Sequence, residues 1–166
     1  MKNPAPKNDL SAKPVSASAA EFNHLVLPPD TNALGTIFGG RIVEWIDIAA
    51  AIVASRHCRR TAVTASIDEL HFLAPVTLGE IVILKASVNF VHKSSMEIGV
   101  HVESENPKTG ERRKTSTAFL TFVALDENGK PTAVPELILE TDEDRRRFTE
   151  GQKRQQGRMK RRPKRP

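Results

Sequence analysis

The segment Arg41-Ile42-Val43-Glu44-Trp45-Ile46-Asp47-Ile48-Ala49-Ala50-Ala51-Ile52-Val53-Ala54-Ser55-Arg56-His57 contains neither Gly nor Pro and is dominated by Ala, Ile and Val. Ile42, Trp45, Ile46, Ala49, Ile52 and Val53 recur at helical spacing, which predicts a helix. The opposite face is also mostly Ala and Ile, and a helix apolar on nearly all sides must be enclosed by something. Glu44 and Asp47 interrupt the run, and it falls short of the ~20 apolar residues that cross a bilayer. Burial inside a protein, not membrane insertion, is the expected fate.

Around this helix the chain reads as strands. Phe22 to Leu27 suggests a short first strand stopped by Pro28-Pro29, and Asp30 to Gly40 a turn-rich loop. Ala62 to Phe72 is β-branched and roughly alternating. In Glu80 to His92, Val82, Leu84, Ala86, Val88 and Phe90 alternate with Lys85, Ser87 and Asn89. Lys93-Ser94 reads as a tight turn into Met96, Ile98, Val100 and Val102, which alternate with Glu97, His101 and Glu103. Residues 106–110 form a hairpin loop before a last long strand, Thr115 to Leu125. One enclosed helix followed by consecutive antiparallel strands predicts an α+β domain whose sheet wraps the helix. A sheet covered by one helix also has edges to satisfy, so dimers are expected.

The net charge of +5 is unevenly distributed. Residues 151–166 hold eight Lys or Arg and no acid, and residues 1–20 hold three Lys and Asp9, so 21–150 are net acidic. The expected organisation is a flexible arm over 1–20, a folded domain over 21–137, a helix over 138–150 begun by Thr141 as N-cap, and a basic disordered tail over 151–166. No secretory apolar run is visible near the N-terminus, and the single cysteine, Cys58, allows no intramolecular disulfide and no zinc cluster. A cytoplasmic location fits.

Asp47 lies two turns inside the apolar helix, too deep to cap it. An unpaired carboxylate there is costly to bury, so it needs a partner or a cleft; a core Asp bonded to nearby backbone is the plainer alternative. Gly39-Gly40 directly before the helix would let a ligand approach free first-turn N–H groups, or would serve only as a flexible joint. Asn32, taken alone, reads as a turn residue. The histidines have no metal-ligand spacing, and no phosphate-binding loop, dinucleotide fingerprint or metal motif is present.

Taken together, Pro29-Asp30-Thr31-Asn32-Ala33-Leu34-Gly35, Phe38-Gly39-Gly40, Trp45-Ile46-Asp47, Ala54-Ser55-Arg56-His57-Cys58, Val63-Thr64-Ala65-Ser66-Ile67-Asp68, Phe72-Leu73-Ala74-Pro75-Val76 and Lys93-Ser94-Ser95-Met96-Glu97-Ile98 resemble the hotdog-fold acyl-CoA thioesterases. The likeness is to the brain-type cytosolic long-chain hydrolases and their single-domain bacterial relatives, over roughly 24–155. It implies a hotdog fold, double-hotdog dimers and a homohexamer built as a trimer of dimers. By position it implies catalysis by Asp47 with Asn32 of a partner subunit. Ile48 departs from the pattern, standing where those relatives often carry Glu.

On this reading the substrate is a medium- to long-chain fatty acyl-CoA, cleaved to free acid and CoA. Coenzyme A is then part of the substrate and no separate cofactor or metal is required. The Gly40 N–H would hold the carbonyl oxygen, and Asp47 would activate water or attack directly. The acyl chain is expected along the helix near Trp45 and Ile46. Gly39, Val63, Thr64, Lys93, Ser94 and Ser95, with Arg113 and Lys114, are the candidate substrate-binding residues. The basic tail suggests polyanion binding as a competing function, but the acidic domain argues against specific nucleic-acid recognition. A hydratase would be expected to carry a His between Asp30 and Gly40, and none is there. A non-catalytic acyl-CoA sensor would not need Asp47.

Overall fold

The computed structural model describes residues 9–161. In chain order the elements are β1 (Lys13–Pro14), β2 (Ala20–Leu25), α1 (Gly39–Cys58), β3 (Thr61–Ile67), β4 (Ile81–His92), β5 (Ser95–Glu105), β6 (Arg112–Leu125), β7 (Leu137–Ile138) and α2 (Asp142–Arg161). Five strands form one antiparallel sheet in the order β2-β4-β5-β6-β3. The sheet wraps α1, the hotdog arrangement.

Strand alternation decides which side chains meet the helix. Met96, Ile98, Val100 and Val102 of β5 and Ala118, Leu120, Phe122 and Ala124 of β6 point inward and are fully buried. They pack against Ile42, Ile46, Ala49, Ala50, Val53 and Ala54, which fall at intervals of three and four along α1. The small alanines let the sheet approach closely. α1 ends where Arg59 adopts a left-handed conformation (φ 52°) and its N–H bonds Ser55 O at 2.8 Å. One flank of α1 is left uncovered in the single chain: Ile48 is 50% exposed, so the all-round enclosure expected from the sequence is incomplete.

Both ends of the chain differ from expectation. Within 1–20, Lys13–Pro14 pairs in parallel with Leu137–Ile138, Val15 to Ala17 make a 3-10 turn, and the first long strand begins at Ala20. Residues 1–8 lie outside the described residues. At the other end, Thr141 and Asp144 exchange capping bonds (Asp144 N–H to Thr141 Oγ1, 3.0 Å; Thr141 N–H to Asp144 Oδ2, 3.0 Å), but the helix continues past 150 to Arg161. The segment 151–161, expected as disordered tail, therefore folds; the expectation for 162–166 lies outside the described residues.

Its composition misled because it is the sheet that supplies its partners. Glu97 points outward from β5, yet its side chain is only 1% exposed because α2 covers it. Arg154 binds Glu97 through Nη2 (2.7 Å) and Nε, and stacks on the Phe119 ring at 3.6 Å; Arg158 binds Glu97 at 2.9 Å and Asp68 at 2.7 Å. Gly151 permits this approach, since a Cβ there would lie 2.8 Å from Phe90 Cβ.

Candidate active site

Asp47 sits on α1 facing β3. The pairing of Thr64 with Phe122, a core residue, turns Thr64 toward the helix, and its hydroxyl donates to Asp47 Oδ1 at 2.7 Å. Asp47 Oδ2 has no partner among the described residues, so one carboxylate oxygen is held and the other is open. The flank is partly solvent-accessible, which relieves the cost of burying the charge.

Two turns toward the helix N-terminus, Phe38 precedes α1 without a side-chain cap. The Arg41 and Ile42 N–H groups bond back to Phe38 O, whereas those of Gly39 and Gly40 have no acceptor among the described residues. A Cβ on Gly40 would meet nothing within 4 Å, so its backbone is open to a ligand. A Cβ on Gly39 would come within 3.3 Å of the Phe72 ring, which makes Phe72 a wall of this opening. Sequence reasoning missed that role, because Phe72 reaches the helix only through the loop after β3.

Asn32 occupies a tight turn closed by the Thr31–Ile37 bridge, with Gly35 at φ 73°. Its Oδ1 accepts from Leu34 N–H (2.9 Å) and its Nδ2 donates to Thr36 Oγ1 (3.0 Å). The other amide N–H has no acceptor among the described residues. The turn is fastened to the segment leading into β4 by Ile37 N–H to Val76 O and Leu78 N–H to Gly35 O, and to α1 by the Arg41–Asp30 ion pair at 3.1 Å. No hydrogen bond joins Asn32 to Asp47 within one chain.

The remaining candidates are dispersed. Val63 and Ser95 share a row with Val123, on the sheet face opposite Asp47. Lys93 and Ser94 turn between β4 and β5, with Val134 N–H bound to Lys93 O and Ala124 N–H to Ser94 O. Arg113 and Lys114 lie at the other end of β5 and β6, opposite Ser104 and Glu103, roughly 30 Å away at ~3.3 Å per residue. Arg113 is already bound to Glu80 at 2.6 Å, and that contact with the Thr77 bonds holds the Glu80 carboxyl below its usual range against the opposing effect of burial. One subunit therefore cannot offer Lys93–Ser95 and Arg113–Lys114 to the same phosphate.

Ile46 is fully buried in the core, and Trp45 stacks on His24 of β2 at 4.4 Å, on the flank away from β3. Leu34 of the Asn32 turn, Phe38 before α1, Ile48 beside Asp47 on α1, and Phe72 and Leu73 of the loop after β3 are exposed apolar side chains. A cavity of about 730 Å³ lies elsewhere, between α2 and the outer sheet face beside Ser87, Gly99 and Arg147. Cys58 is buried, which pushes its thiol up and makes it a poor nucleophile. Among the described residues no cluster of His, Cys, Asp or Glu could hold a metal ion, and no helix is long and apolar enough to cross a membrane.

Residues 34–111 match the family model described as the thioesterase superfamily. The chain is 50% identical over 119 residues to the uncharacterised acyl-CoA thioester hydrolase YkhA of Bacillus subtilis, covering 72% of this chain and 69% of that one. It is 37% identical to the cytosolic acyl coenzyme A thioester hydrolase of Rattus norvegicus over 82% of its own length, but spans only 36% of that protein. A crystal structure of an apo-hexameric acyl-CoA thioesterase superposes with a TM-score of 0.88 at 44% identity, covering 91% of this chain and 97% of that one. A Staphylococcus aureus acyl-CoA hydrolase, solved with butyryl coenzyme A, coenzyme A and coenzyme A disulfide, gives a TM-score of 0.85 at 35% identity, covering 91% and 92%.

Proposed function

From the premise that this chain belongs to the thioesterase superfamily as an acyl-CoA thioester hydrolase, we propose that it cleaves medium- to long-chain fatty acyl-CoA at a site built around Asp47. The observation that carries this reading is the half-held carboxylate: Thr64 fixes Oδ1 at 2.7 Å, Oδ2 is open, and the uncapped amides of Gly39 and Gly40 lie two turns away on the same helix. Water adds to the thioester carbonyl as Asp47 takes its proton, and the carbonyl oxygen becomes an oxyanion held by the Gly40 N–H. The C–S bond then breaks, and the proton passes to the CoA thiolate. Direct attack by Asp47 to form an anhydride, later hydrolysed, uses the same groups.

Asn32 and Asp47 are not joined within a chain, so each site pairs Asn32 of one subunit with Asp47 of another. The exposed β3 edge, with Val63 and Ile67 more than 40% exposed, is the surface that would join two such subunits as a double hotdog. A homohexamer of three dimers is proposed from the hexameric state named for two solved neighbours. Three further structures of the Staphylococcus aureus enzyme carry alanine in place of an asparagine, an aspartate and a threonine. The sequence intervals between those residues equal the intervals between Asn32, Asp47 and Thr64, which supports one shared constellation. Leu34, Phe38, Phe72 and Leu73 would take the acyl chain. Lys93–Ser95 of one subunit and Arg113–Lys114 of another would serve different parts of CoA. No cofactor is invoked, and a cytoplasmic location follows the cytosolic relatives.

Subunit mixing tests the arrangement. Asn32→Ala and Asp47→Ala should each abolish CoA release, while their equimolar mixture, unfolded and reassembled, should recover about a quarter of wild-type turnover, since half of the dimers would hold one intact site. No recovery, with normal oligomers formed, would refute the shared site; near-normal turnover by Asp47→Ala would refute the role of Asp47.

A further inference from the structure

Phe72 belongs to residues 68–74, a segment without regular structure that leaves the end of β3 and crosses to the mouth at Gly39. Three contacts fix its course. Asp68 N–H bonds Phe119 O at 2.9 Å, Leu73 N–H bonds Thr115 O at 2.8 Å, and the Asp68 side chain accepts from Arg158 Nη1 at 2.7 Å. The first two are backbone bonds to β6. The third comes from α2, on the face of the sheet opposite Asp47, and its two side chains are only 20% and 24% exposed.

Arg158 is divided between two carboxylates, Nη1 on Asp68 and Nη2 on Glu97. That is a use of guanidinium geometry that an ammonium could not reproduce. Glu97 is separately bound by Arg154, so docking of the helix does not depend on Arg158. What depends on Arg158 alone is the side-chain tether of Asp68.

Resting on the hydrolase reading above, we propose that Arg158 is a positioning residue for the active site: by holding Asp68 it fixes the 68–74 loop, and hence the Phe72 wall, beside the Gly39–Gly40 amides. The C-terminal helix thereby shapes the acyl-binding mouth from the far side of the sheet. Arg158 touches no reacting atom, so its effect falls on how well the acyl-CoA is held.

The test uses Arg158→Ala, Asp68→Asn and the double variant in the full chain. Each single variant should raise the KM for a long-chain acyl-CoA about fivefold with kcat within about twofold, as expected for one shielded ion pair. The double variant should be no worse than either single, because both remove the same contact. Additive losses, a fall in kcat at unchanged KM, or no change would overturn the proposal. Hydrogen exchange across residues 68–74 gives a readout that needs no turnover. It should accelerate in both single variants, and unchanged exchange would overturn the tether. Failure of wild-type protein to release CoA would instead sink the hydrolase reading and leave the exchange result to judge the tether.

Discussion

Replacing Glu97 by alanine removes the acceptor on which α2 is docked. Arg154 would lose its carboxylate bonds and keep the Phe119 ring and a 3.9 Å contact to Glu150; Arg158 would keep Asp68. Removing one partner of a fully buried ion pair costs about 3–5 kcal/mol. Here the arginines are 24% and 20% exposed and can turn partly to water, so about 2 kcal/mol is the reasoned loss. With a urea slope of about 2 kcal/mol per molar, the unfolding midpoint should fall by about 1 M. Trypsin reports the same event locally, since α2 is rich in Arg and Lys yet is cut only when it opens. Glu97→Ala should be cleaved in α2 under conditions where wild type is intact, and Glu97→Gln, which keeps the shape, should fall between. An unchanged midpoint together with unchanged cleavage would refute the reasoning. It would assign docking to apolar contacts such as Phe148 against Phe90.

Two further outcomes follow from the described contacts. Gly40→Ala meets no atom and keeps the amide, so turnover should hold within a few-fold; Gly40→Pro deletes an N–H with no intrahelical acceptor and should cut kcat by about a hundredfold or more at little cost in stability. Equal activity in the two variants would dismiss the Gly40 amide as the oxyanion donor. Burial lowers the His57 pKa, although its Nε2 lies 2.9 Å from Pro135 O. Below about pH 6.5 the unfolded chain takes up a proton that folded His57 declines, so stability falls as pH drops through that value. Burial of His24 acts in the same direction. Urea midpoints from pH 8 to 5 should therefore decline less steeply for His57→Gln than for wild type; equal slopes would rule out this linkage.

The core was legible because it obeys local periodicity. Residues 41–57 announce an enclosed helix and β4 to β6 alternate cleanly, so the fold class and the β4-β5-β6 meander could be read directly, whereas the consecutive order expected for the strands fails at β3, which pairs with β6 and not β4. The C-terminal helix was not, because Arg154 and Arg158 look like solvated charge until Glu97 and Asp68, far away in sequence, are brought beneath them. Asp47 stood out as a charge in an apolar helix, but its bond to Thr64 depends on the register of β3 on β6. The separation of Arg113–Lys114 from Lys93–Ser95 was within reach, since a hairpin loop at 106–110 must place 112–114 beside 103–105.

The strand order β2-β4-β5-β6-β3 also bears on how the molecule assembles itself. β4, β5 and β6 are joined by short turns, so their pairings close small loops and can form early. β3 must wait for β6, β2 must wait for β4, and Lys13–Pro14 meets Leu137–Ile138 only after nearly the whole chain is made. The central meander is therefore the expected folding nucleus, with mutational φ-values high in β4 to β6 and near zero at both flanking strands. Thr64, on a late-joining strand, reaches Asp47 only after that meander has set. Catalytic competence should then lag the appearance of β-sheet signal during refolding, and the two appearing together would count against this order.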